Sequence, residues 1–183
     1  MKIKIGKYPT HRWYHNFLYE KFGIGNEPKV SVHIDEFDTW SMDHTLAYII
    51  DPMLKQLKLT KHGAPNVDNK DVPKELRSEP AKHDICPTHF DKWDWVLDEM
   101  IFAFTCKTDD SWEEAFRSGE HELIWKPVDK DGNEVPKKEA KLFRMLHGPN
   151  DTYKCDYEGM KVVETRIQNG FRLFGKYYQG LWD

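Results

Sequence analysis

The sequence predicts an α+β fold: a single domain over residues 1–183, mostly helical, with a small antiparallel sheet or hairpin. Two patterns carry this. Three long segments and one shorter one repeat apolar residues at three- and four-residue spacing, while short segments alternate apolar and polar residues around turn-forming stretches. A chain of 183 residues with seven Trp, ten Phe and eight Tyr has enough apolar surface to build one real core.

The elements follow in order. "MKIKIG" alternates as a short strand with Ile3 and Ile5 on one face. "PTHRWYHNFLYEKFG" predicts the shorter helix, from about 10 to 22: Thr10 is placed to cap it, Tyr14, Phe17, Leu18 and Phe22 form its stripe, and Gly23 sits where a left-handed cap belongs. "KVSVHIDEF" alternates again, with Val30, Val32 and Ile34 opposite Lys29, Ser31 and His33. A long helix then runs through "DTWSMDHTLAYIIDPMLKQLK", capped by Ser41 or Asp38 and stopped by Gly63 and Pro65, with Met42, Leu46, Ile49, Met53 and Leu57 as its expected buried face. Pro52 lies inside it and leaves the Tyr48 carbonyl without a helical donor.

Residues 63–89 change character. Pro65, Pro73, Pro80 and Pro87 interrupt polar sequence, which reads as a wrapping arm, a lid or a disordered excursion. "HFDKWDWVLDEMIFAFTCK" is the second long helix, with Phe90, Trp93, Leu97, Ile101 and Phe104 on one stripe. A hairpin is expected over 121–146, turning near Asp131-Gly132. The final helix starts at "YEGMKVVE", and Val163, Ile167, Phe171, Phe174, Tyr178 and Leu181 form its expected buried face.

Net charge is −4 with nine His, which argues against a broad basic surface for duplex nucleic acid. The opening stretch has no apolar h-region, and no apolar run is long enough for a membrane span, so neither secretion nor membrane insertion is expected. Cys86, Cys106 and Cys155 lack metal-ligand spacing and read as free thiols of a reducing cytosol.

No phosphate loop, nucleophile elbow or nucleophilic-cysteine context is present, so the sequence leans away from catalysis. "DKDGNE" is half a calcium loop, but Glu134 stands where that loop needs Gly, so a plain turn is expected. His11 and His15, four apart on one helix face, are the candidate metal ligands; otherwise no cofactor is expected. Asp43-His44 at a helix start offers a dyad, although the helix dipole alone accounts for Asp43. Asp91, Asp94, Asp98 and Glu99 form an acidic edge able to hold a divalent metal, against the simpler reading of residues favoured at a helix start.

The last helix sets Arg166, Arg172 and Lys176 among aromatic residues, with Gly170 and Gly175 marking close approach of a backbone or ligand. One reading is helix packing with a solvated basic face. The other is an anion site formed by Arg172, Lys176, Arg166 and Tyr177, with Arg12 as helper, at a subunit seam.

At "DTWSMDHTLAYIIDPMLKQLK", "TKHGAP", "FDKWDWVLDEMIFAF" and "NGFRLFGKYYQGLWD" the chain resembles a group of proteins encoded by tailed, often marine, bacteriophages. The resemblance implies a viral origin and a host-cytoplasmic or virion setting, and it carries no activity. The expectation is a non-catalytic phage accessory protein that binds a small anionic, nucleotide-like ligand at a homo-oligomer seam, countering host defence signalling. The alternatives are a metal-dependent nucleotide hydrolase, with a divalent metal as cofactor, and a virion structural or assembly component.

Overall fold

The computed structural model describes residues 2–5, 12–25, 30–78 and 86–182. The fold is α+β and largely helical, as the periodicities predict, and the chain has two compact units within it, Met1–Ile49 and Ile50–Asp183.

In the first unit, strand β1 (Lys2–Ile5) pairs antiparallel with β2 (Val30–His33), Lys2 opposite His33 and Ile5 opposite Val30. Helix α1 (Trp13–Phe22) lies between them in the chain. It begins later than its sequence suggests. Arg12 is the N-cap residue and its amide donates to His15 Nδ1 at 2.8 Å, while Thr10 lies outside the described residues. Gly23 closes the helix as expected: at φ 64° its N–H reaches back to the Tyr19 carbonyl, a conformation that a Cβ penalises. The alternation of β2 is not matched by burial, since Val30, Val32 and Ile34 are all exposed.

Helix α2 (Met42–Thr60) runs across the division between the units, with Pro52 inside it. Its start matches a Ser41 cap position, because Thr45 N–H donates to the Ser41 carbonyl at 3.0 Å. The expected buried face is corrected. Ala47 and Leu54 are the buried positions, while Met42, Leu46 and Met53 are exposed. Apolar residues lie on two sides of this helix, so spacing could not choose the covered one.

In the second unit, α3 (His89–Thr108) and α4 (Tyr157–Tyr177) form an antiparallel pair that makes the core. Trp93 meets Tyr177 edge to face at 6.0 Å, and Phe104 meets Phe171 and Phe174 at 5.1 and 4.9 Å. Trp93, Val96, Leu97, Met100, Ala103 and Leu173 are fully buried. The stripe of α4 is shifted from its predicted line: Leu173 and Tyr177 are buried and Tyr178 is exposed. Gly170 marks the crossing point, where an added Cβ would stand 2.5 Å from Ala103 Cβ. Nothing lies near the corresponding position at Gly175, so only the first glycine reports a close approach.

Strand β3 (Arg117–Ser118) pairs with β6 (Lys154–Cys155). Strands β4 (Leu123–Val128) and β5 (Leu142–His147) form the expected hairpin, Leu123 opposite His147. In the connection between them, Asp129 accepts the N–H groups of Asp131 and Asn133 at 2.9 and 2.8 Å. The half calcium loop is thus a turn whose carboxylate is already satisfied by its own backbone.

The described part of the 63–89 stretch is a wrapping arm. It makes two short 3₁₀ turns, Asn69–Asp71 and Lys74–Leu76, and buries Asp71 and Val72. At its start Ala64 receives the His89 ring nitrogen at 3.0 Å.

Candidate functional site

The cations of α4 converge on the arm. The side chain of Asp71 is 2% exposed and accepts from Arg172 Nη1 at 2.9 Å, from the Tyr177 hydroxyl at 2.7 Å and from Lys176. Lys176 also pairs with Asp68, whose own amide donates to the Tyr177 oxygen at 3.0 Å. These partners hold Asp71 below the usual carboxylate range against the opposing effect of burial, and they raise Lys176, chiefly through Asp68. Arg166 grips Glu99 with Nε and Nη2 at 2.7 to 3.1 Å and lies 3.8 Å over the Phe102 ring. The structure therefore brings Arg172, Lys176 and Tyr177 together but supplies their charges with carboxylates of the same chain. Arg166 is engaged separately, and Arg12 belongs to the first unit.

The other candidates separate in a similar way. His11 lies outside the described residues, and His15 Nδ1 takes the Arg12 amide. Asp43 and His44 lie in the first turn of α2, where the helix dipole favours a carboxylate. Three residues of the acidic edge of α3 are met by cations: Asp94 by Lys61 at 2.7 Å, Asp98 by Lys58, and Glu99 by Arg166.

A different constellation stands at the open end of the β4–β5 hairpin. Past β5, the chain folds back on the residues before β4: Gly148 N–H donates to the Glu122 carbonyl at 2.7 Å and Thr152 N–H to Glu120 at 3.0 Å. This places Asp151 between two imidazoles. His147 Nδ1–H donates to Asp151 Oδ2 at 2.9 Å, and His121 Nδ1 lies 3.5 Å from the same oxygen. The Asp151 side chain is 10% exposed and also accepts the amides of Tyr153 at 3.1 Å and Glu122 at 3.3 Å. The His147 hydrogen bond and these amides hold its carboxyl at about 2, so it is ionised throughout the neutral range. His121 stacks on the Tyr153 ring with centroids 3.7 Å apart, which fixes its plane. Among the described residues these three side chains are the group whose ligand atoms converge closely enough to hold one metal ion.

Sequence reading missed this cluster. Its histidines belong to a strand entrance, "HEL", and a turn, "HGPND", and only the pairing of Leu123 with His147 brings them together. The spacing of His147 and Asp151 was the available signal. It is weak by itself, because Gly-Pro between them reads as a turn.

No protein-family model, curated protein or solved structure matches the chain. The fold defines its class by itself: an α+β protein whose core is an antiparallel helix pair wrapped by an arm. No helix among the described residues is long and apolar enough to cross a membrane.

Proposed function

We propose that the protein is a non-catalytic accessory protein of a tailed bacteriophage that acts in the host cytoplasm as a homo-oligomer, with a small anionic, nucleotide-like ligand at its seam. The aromatic surface of the first unit supports the assembly. Trp13, Phe37 and Trp40 are 85%, 80% and 86% exposed, and Phe22 and Tyr19 add to them. Among the residues of this unit whose burial is described, Ala47 alone is buried. A unit that buries so little does not offset its own chain entropy, and a second copy offers a matching apolar surface under closed symmetry. An anionic ligand on α4 must compete with Asp68 and Asp71 for Lys176 and Arg172, so its binding is expected to weaken with salt and to loosen the arm.

Sedimentation velocity on the full chain across micromolar concentrations tests the assembly. The expected result is a species of at least twice 21.8 kDa that Trp40→Glu dissociates; a monomer throughout overturns the reading. Calorimetry against mononucleotides, dinucleotides and cyclic oligonucleotides tests the ligand. Retention of the protein in purified particles without nucleotide binding would favour a virion role.

A further inference from the structure

We propose that His121, His147 and Asp151 bind one first-row divalent transition ion of the Zn²⁺ class, with the remaining coordination position open to solvent. The site is independent of the assembly and of any ligand on α4.

Two imidazole nitrogens aim at one carboxylate oxygen, at 2.9 and 3.5 Å. The two rings lie with their centroids 6.3 Å apart on either side of that carboxylate oxygen. A shared cation suits this arrangement, because each neutral imidazole offers a lone pair and the carboxylate offers its charge. Four-coordinate zinc at about 2.0–2.1 Å from each ligand sets its donors about 3.3 Å apart. The three ligand atoms all lie within 4.8 Å of one another, so small side-chain rotations complete the set.

The site is also built in advance. Asp151 is anchored by two backbone amides and His121 by the Tyr153 ring, while both histidines remain exposed and reachable. The nearby Glu122 carboxylate is occupied by Asn150, whose amide donates to it at 2.6 Å, which leaves the three-ligand set undisturbed. Two nitrogens and one oxygen favour Zn²⁺, Co²⁺ or Ni²⁺ over Ca²⁺ and Mg²⁺, which take oxygen ligands.

The test is titration of the full chain with Zn²⁺ followed by calorimetry, with Co²⁺ as a visible-absorbance probe. One ion per protomer is expected, with d–d bands of a four- or five-coordinate N/O site. His147→Ala and His121→Ala are each expected to weaken binding at least tenfold, with circular dichroism unchanged, and excess Ca²⁺ is expected not to compete. Asp151→Asn is read only alongside its melting curve, because Asp151 also holds the loop. Affinity unchanged in both histidine variants overturns the proposal, as does no binding, or displacement by Ca²⁺ at equal concentration.

Discussion

At the residue scale, Cys86 illustrates how neighbours set reactivity. Its Sγ contacts the Ser78 hydroxyl, lies 3.4 Å from Thr88 Oγ1 and 3.6 Å from the buried Lys92 ammonium. The Ser78 and Thr88 hydroxyls lower its thiol to about 7, with the Lys92 charge behind them, whereas burial pushes Cys106 up. Cys86 is therefore expected to alkylate first with iodoacetamide at neutral pH, as read by peptide mass mapping; earlier labelling of Cys106 or Cys155 would refute this. Asp71 tests the arm. Asp71→Asn keeps the Tyr177 hydrogen bond in shape but removes the charge that Arg172 and Lys176 share, with an expected loss of about 1.5–3 kcal/mol in urea unfolding. The pH dependence has a definite sign. Asp71 and Asp151 are depressed in the folded state, so below the ordinary carboxylate range the unfolded chain binds more protons than the native one. Their stabilisation is complete above that range and falls away as pH drops through it, for Asp151 towards about 2. Asp71→Asn is expected to flatten the acid limb of a stability-versus-pH curve.

At the scale of elements, the α3–α4 pair separates two glycines that look alike in sequence. Gly170 faces Ala103 and the Glu99 carbonyl, while Gly175 faces open space. Gly175→Ala is expected to stabilise the protein by up to about 1 kcal/mol through helix propensity alone. Gly170→Ala is expected to destabilise it, because α3 backbone must move to admit a Cβ. Thermal melts of both variants check the pair, and equal shifts of the same sign would count against this packing. The hairpin and the arm are elements of another kind. Lys126–Glu134 and the Asp129 turn tie the hairpin connection to itself, whereas the arm takes the ionic partners of Asp68 and Asp71 from α4 and further hydrogen bonds from Lys92 and His89 of α3. Replacing the α4 cations should therefore loosen the arm around Asp68 and Asp71 and leave the hairpin intact.

At the scale of the molecule, the two units differ in how they are held. Residues 50–183 contain the aromatic core between α3 and α4, whereas the described residues of 1–49 display large aromatics and bury little. The first unit is expected to be protected from proteolysis only when the chain is assembled. Limited proteolysis above and below the assembly concentration checks this: cleavage within 1–49 should rise on dilution while the 86–182 segment persists.

The existence and type of the four α-helices, the two N-terminal strands, the β4–β5 hairpin and the Gly23 cap were legible from sequence, because each depends on local spacing or on one residue's backbone freedom, whereas the pairing of β1 with β2 came only from the fold. Local signals failed where two faces competed. On α2 and α4 several registers of apolar residues satisfy a helical stripe, and only the neighbouring element decided that Leu54 and Tyr177, not Met53 and Tyr178, are covered. The charged residues show the same limit. Arg172, Lys176 and Asp71 are polar residues in unrelated stretches until the arm crosses α4, and His121, His147 and Asp151 come together only through strand register and a folded-back loop. Electrostatic partnership depends on distance in space, and between residues so far apart in the chain that distance is set by tertiary packing.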